Sequence, residues 1–152
     1  MSDTYDKDIL SSVKKILTDD NTNPTLGYCI EHYVADKIVV ARLPIMKKLP
    51  NITLDFQGLD SLESLPAQEG ELRIGVWYDP KSSNSRSLIR ECGARVISLL
   101  DRKPLLLNAQ GFEAKVRTIT KQTNLLIAPD EEDAILHYSI VFRVIYGDNW
   151  NG

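Results

Sequence analysis

The stretch Glu71-Leu72-Arg73-Ile74-Gly75-Val76-Trp77-Tyr78 decides the fold. Leu72, Ile74, Val76 and Tyr78 alternate with Arg73, Gly75, Trp77 and Asp79. That period of two belongs to a strand with one buried face. The loop Pro80-Lys81-Ser82-Ser83-Asn84-Ser85 leads from it into a helix. At 100° per residue, Leu88, Cys92, Val96, Leu99 and Leu100 of that helix fall within an arc of about 120°. Arg102-Lys103-Pro104-Leu105-Leu106-Leu107 stops it, because proline cannot continue a helix. Two long extended segments follow, Glu113 to Ile127 and Leu136 to Tyr146, split by Pro129-Asp130-Glu131-Glu132-Asp133. This order predicts a mainly antiparallel sheet ending in a long C-terminal hairpin.

Working outward, Asp8 to Thr18 reads as a helix with Ile9, Leu10, Val13, Ile16 and Leu17 on one stripe. Asp6 or Asp3 can cap its start. Asp19-Asp20-Asn21-Thr22-Asn23-Pro24 breaks it with turn residues. Leu26 to Val34 fits a helix or a strand. Ile38-Val39-Val40-Ala41-Arg42-Leu43 has the β-branched content of a strand, and Pro44 and Pro50 bracket a connector with Lys47 and Lys48. In Ile52-Thr53-Leu54-Asp55-Phe56 the apolar residues share one side. Gln57 to Gly70, with Leu59, Leu62 and Leu65 among Gly, Ser and Pro, reads as an irregular loop or short helix. The expectation is one α+β domain over residues 1–152, its mainly antiparallel sheet flanked by two or more helices.

A chain of 152 residues can bury about 68–70% of its unfolded surface and needs no staples. Its apolar share of 43% and charged share of 26% are ordinary for a globular protein. It has no run of about 18 apolar residues, the length that spans a bilayer. The acidic start Met1-Ser2-Asp3-Thr4-Tyr5-Asp6 has no apolar core of a signal peptide. Cys29 and Cys92 are therefore expected to be free, buried thiols in an intracellular protein or one assembled inside a cell.

The net charge of −3 conceals local blocks. Residues 80–121 carry nine basic and three acidic groups, whereas residues 55–79 carry one basic and six acidic. Residues 122–152 carry one basic and five acidic. Solvated faces vary in this way, but opposite patches can also meet head to tail between identical subunits and close a ring. Nucleic-acid recognition is the weaker reading, since acidic blocks flank the basic one and the pI is near 5.4.

The second helix concentrates the basic side chains. Arg86 and Arg90 flank one edge of its apolar arc and Arg95 and Arg102 the other. Ser87, Ala94 and Ser98 occupy the outward centre. One reading is a surface helix with snorkelling arginines. The other is a subunit interface, where small residues allow close approach and arginines reach a neighbour's carboxylates. Asp130, Glu131, Glu132 and Asp133 then form an opposing hairpin tip, or a patch that repels DNA from a lumen.

Catalytic and ligand-binding signatures are missing. Neither His32 nor His137 stands near a Gly-x-Ser-x-Gly elbow. Cys29-x-x-His32 is half of a metal site, which Cys92 and His137 would have to complete. The acidic run lacks the alternating ligands and central Gly of a calcium loop. No phosphate loop or dinucleotide fingerprint is present, and Trp77 and Trp150 make no stacking platform for single strands. No enzyme, cofactor or membrane partner is expected.

Gly70-Glu71-Leu72-Arg73-Ile74-Gly75-Val76-Trp77-Tyr78, the arginine-rich helix, Arg102-Lys103-Pro104-Leu105 and Ser139-Ile140-Val141-Phe142-Arg143-Val144-Ile145-Tyr146 together resemble the tail-terminator (tail-completion) proteins of long-tailed bacteriophages. Leu49-Pro50-Asn51-Ile52-Thr53-Leu54 is similar to that family's early Pro-then-strand segment. The resemblance covers roughly the last 80 residues; Asn21 to Ile38 and Gln57 to Gly70 depart from the family's leaner pattern. It implies a virion protein made in the host cytoplasm, and a hexameric ring capping the tail tube. Its partners would be further copies of itself, the tail tube protein and the head-connector or neck proteins, with DNA only passing through the lumen. A head-closure or adaptor protein of the neck, and a non-viral regulatory or binding α+β domain, are the alternatives.

Overall fold

Alternating apolar residues in three long strands generate one buried sheet face, and the helices cover it. The computed structural model describes residues 2–20, 29–34, 38–41, 49–61, 68–81, 84–112, 114–127 and 135–147. In chain order the elements are α1 (Ser2–Asp19), α2 (Ile30–Val34), β1 (Ile38–Val40), β2 (Asn51–Ser61), β3 (Gln68–Tyr78), α3 (Ser85–Leu100), α4 (Pro104–Asn108), β4 (Lys115–Ile127) and β5 (Leu136–Gly147). The five strands form one sheet in the order β1-β2-β3-β5-β4. Only β1 and β2 pair in parallel; the other neighbours are antiparallel. The fold is α+β, with the long C-terminal hairpin that the sequence predicts.

Register carries the pattern across the sheet. Ile38, Ile52, Val76, Tyr138 and Leu126 share one cross-sheet row. The next holds Val39, Thr53, Gly75, Ser139 and Leu125, and the third Val40, Leu54, Ile74, Ile140 and Asn124. The first and third rows turn toward the helices, where Ile52, Val76, Leu54, Ile74 and Ile140 are buried. The middle row faces away from them, as the period of two requires.

From the helices, Ile9, Val13, Ile16 and Leu17 of α1 and Ile89, Cys92, Val96 and Leu100 of α3 complete the core. The expected arc of α3 is rotated: Ile89 is fully buried, while Leu88 and Leu99 are half-buried. Gly93 explains the rotation. A Cβ there would lie 2.6 Å from Cε1 of Tyr138, so α3 approaches β5 along this residue.

Other boundaries differ from expectation. Helix α1 spans Ser2–Asp19, so Asp3 and Asp6 lie within it and not ahead of its start. Gln57 to Gly70 is largely strand, because β2 runs on to Ser61 and β3 begins at Gln68; residues 62–67 lie outside the described residues. The ambiguous stretch before residue 35 contains the short helix α2. Cys29 and Cys92 are both free thiols, but only Cys92 is buried; Cys29, just ahead of α2, is half-buried.

Asp20 ties three helices together. Arg95 of α3 donates from Nε (2.9 Å) and Nη2 (2.7 Å) to the two carboxylate oxygens, and the Ile30 N–H at the start of α2 adds a third bond at 2.8 Å. Burial alone would raise the Asp20 pKa; the Arg95 fork and the Ile30 N–H outweigh it and hold the carboxyl below its ordinary value of 3.8. A lowered carboxyl pKa contributes stability that is fully present above the ordinary value and is lost as pH falls through the folded one. We therefore expect Arg95→Met to destabilise the protein by about 1–3 kcal/mol at pH 7, the range for charge-assisted bonds. Denaturant titrations of the two proteins should converge as the pH drops below the ordinary carboxyl value.

Candidate functional site

Three surface features stand out among the described residues. The first is the outer side of α3. Arg86, Arg90 and Ala94 are exposed there, as the sequence predicts for an outward face. Among the described residues no ion pair reaches Arg86 or Arg90. Arg95 is held differently, because its guanidinium is bound to Asp20 of the same chain. Arg102 follows α3 with a positive φ of 60°; its backbone N–H donates to the Ile119 carbonyl while its side chain stays exposed. Asp130, Glu131, Glu132 and Asp133 lie outside the described residues.

The second feature is the outer edge of β4, which the chain treats differently along its length. Asn108 at the end of α4 grips Val116 from both sides, donating from Nδ2 to its carbonyl (2.8 Å) and accepting its N–H at Oδ1 (2.6 Å). Arg102 N–H covers the Ile119 carbonyl, and Asp101 Oδ1 accepts the Lys121 N–H at 2.8 Å. From Thr123 to Ile127 no such bond to the outer edge occurs among the described residues. This stretch carries no charge and exposes Leu125 and Ile127 by 62% and 43%. At the opposite edge of the sheet, Val40 of β1 is 53% exposed.

The third feature lies on the sheet face away from the helices. The rings of Trp77 and His137 stack with centroids 3.7 Å apart and planes 6° from parallel. Trp77 Nε1 donates to Thr53 Oγ1 at 2.8 Å. Gly75 lets these side chains pack directly over its backbone, since a Cβ there would come within 2.6 Å of Trp77 Nε1 and 2.7 Å of Thr53 Oγ1. Beside the stack lies a cavity of about 240 Å³ between Ala41, Thr53, Asp55, Arg73, Gly75, His137 and Ser139. Arg73 is paired with Glu71 at 2.7 Å, and Arg143 on the same face with Glu69. This face is thus largely neutralised within the chain.

Cys92 and His137 do not come together to complete the conceivable metal site. His137 is on the face away from the helices, whereas Cys92 is buried under α3 on the other side of the sheet. Among the described residues no group of three or more His, Cys, Asp or Glu could hold a metal ion. Burial pushes the Cys92 thiol up, which makes it a poor nucleophile. No described helix is long and apolar enough to cross a membrane.

The Trp77–His137 stack and the open part of β4 were not singled out by sequence. The stack joins residues far apart in the chain, which only the β3–β5 register brings together. For β4 a signal existed: Gln122 to Ile127 is uncharged between Lys121 and the acidic tip.

Burial lowers the His137 pKa below the ordinary 6.5. The unfolded chain then takes up the proton first, so stability is complete above the ordinary value and declines as pH falls through the folded one. Replacing His137 by Phe keeps an aromatic ring beside Trp77 and removes this dependence. Thermal melts at pH 7 and pH 5 should show a smaller loss on acidification for His137→Phe than for the wild type.

No protein-family model and no curated protein sequence matches this chain. Its fold is similar to that of a solved chain described as belonging to the virion of a native gene transfer agent (GTA) particle. The two superpose with a TM-score of 0.66 over 91% of this chain and 94% of that one, at 14% sequence identity.

Proposed function

We propose that the protein is a structural component of a phage-like virion, and that within the particle it caps the tail tube as a ring. The observation that carries the virion reading is the shared fold with a chain of the gene transfer agent virion, which spans nearly the whole of both chains. The finer reading is supported by the sequence resemblance to tail terminators over β3, α3 and the C-terminal hairpin. Six subunits in a ring would end tube polymerisation by presenting one face shaped like tube protein and another to which no tube subunit adds. The second face would join the tail to the head connector. The role is structural and requires no catalysis or cofactor.

The surface chemistry agrees with a head-to-tail assembly. Arg86 and Arg90 stand outward on α3, and Ala94 leaves room between helices for a neighbour's approach. A partner surface of opposite sign, such as the acidic run Asp130–Asp133 of the next copy, would complement them. Arg102 extends the same basic side beyond the helix. Arg95 contributes only indirectly, by fixing α3 against α1.

Electron microscopy of particles produced after deletion of the gene tests the reading. Overlong tail tubes beside unattached heads are the expected outcome. Normal tails beside unjoined heads would move the protein to the head side of the neck, as a closure or adaptor component. Unaltered virions would remove the structural role altogether. At the residue level, Arg86→Glu combined with Arg90→Glu, or Ala94→Trp alone, should weaken self-assembly at least tenfold in light-scattering measurements. Their melting temperatures should stay near that of the wild type, because all three side chains are exposed.

A further inference from the structure

We infer that neighbouring copies join edge to edge through backbone pairing, the open stretch Thr123–Ile127 of β4 in one copy adding to Ile38–Val40 of β1 in the next. The inference deepens the ring reading and rests on it.

Four observations carry the pairing. Strand edges are hazards that proteins block with charge, bulges or cover. Here the fold blocks one part of β4, through Asn108, Arg102 and Asp101, and leaves the part from Thr123 onward unblocked among the described residues. That part contains no charge and no proline, the composition that accepts a further strand. The exposed apolar side chains Leu125 and Ile127 on β4, and Val40 on β1, mark the same two edges.

Third, the two edges are level. Val39 and Leu125 are the opposite ends of one cross-sheet row, as are Ile38 and Leu126, and Val40 and Asn124. A copy generated by rotation about an axis parallel to the strands, without translation, therefore brings Leu125 beside the next copy's Val39. Contacts between unlike surfaces close into a ring only when such an offset is absent; otherwise they grow as a filament. Fourth, the direction is right. β1 runs parallel to β2, and each following neighbour reverses, so β4 runs antiparallel to β1. Rotation preserves that relation, and the new pair would be antiparallel, the more stable ladder.

A second copy is the occupant because one molecule supplies both unlike edges at matching height. A symmetric pairing of β4 with β4 would leave β1 uncovered and would stop at a dimer.

Cysteine pairing tests this directly in the full chain. Val39 and Leu125 project from the same sheet face, and adjacent strands lie about 4.8 Å apart, within reach of a disulfide. The double variant Val39→Cys/Leu125→Cys, concentrated and oxidised, should give cross-linked oligomers on non-reducing gels. A mixture of the two single variants should give a dimer, and neither single variant alone should cross-link beyond the wild-type background from Cys29 and Cys92. Thr123→Cys or Ile127→Cys in place of Leu125→Cys covers a register slip of two residues either way. Native mass spectrometry of the unoxidised proteins separates the two levels of the reading. A ring of intact mass with no cross-link from any of these pairs would overturn the edge pairing and leave the ring standing. A monomer at every concentration, wild type included, would overturn both. Cross-linking by Leu125→Cys alone would replace the pairing by a symmetric dimer.

Discussion

The pairing of β3 with β5 is the constraint on which the rest depends. Its register runs without a break from Gln68 opposite Tyr146 to Tyr78 opposite Leu136. It puts Leu72, Ile74, Val76 and Tyr78 on the same face as Phe142, Ile140, Tyr138 and Leu136, and a slip of one residue would transfer the whole set to the other face. The irregularities are kept away from this pair: one lies at the far end of β2 and two along β4. Bulges bend and twist the strand that carries them, so the outer strands can depart from the centre while the central register stays fixed. Everything assigned to the surface inherits that register. The Trp77–His137 stack, the close packing over Gly75 and the level placement of the two sheet edges all follow from it.

A second consequence concerns how the edge strand is finished. Backbone donors and acceptors at a sheet edge must meet water or a partner. Along Val116 to Lys121 they meet the chain itself, and the groups that do so come from the short segment between α3 and β4. Proline at the start of α4 is tolerated because the first helical N–H needs no partner within the helix. Asn108 closes that helix beside Val116, where both its amide groups can be used. The connector that looks in sequence like a simple helix stop is thus also an edge cover. It ends where the uncharged segment begins.

Much of this architecture was legible because strong local patterns coincide with burial. The alternation in β3 and β5 and the stripe of α1 each follow from a periodicity that tertiary contacts reinforce. The misreadings have specific causes. Gln57-Gly58-Leu59-Asp60 breaks the apolar alternation and contains a glycine, so β2 was expected to end early; yet Gly58 pairs with Gly70, and the ladder to β3 sustains the strand. In α3 the leucines drew the predicted face toward Leu88 and Leu99. The real face is set by Gly93 against Tyr138, a contact no periodicity encodes. Arg95 looked like Arg86 and Arg90 in sequence, since only the fold brings Asp20 beneath it.

That difference among the arginines bears on how identical subunits would recognise one another. Arg73 and Arg143 are paired with Glu71 and Glu69 on the sheet, and Arg95 with Asp20 at the helices. On α3 and at its end, Arg86, Arg90 and Arg102 stay outward and exposed. Backbone pairing at an edge gives adhesion with little selectivity, because any extended segment offers the same donors and acceptors. Charge matching gives selectivity and orientation more than adhesion. An assembly using both would draw its hold from the uncharged end of β4 and its alignment from the basic face of α3. The division is physically economical: the edge must stay free of charge to accept a strand, so the charges that choose the partner have to stand on another element.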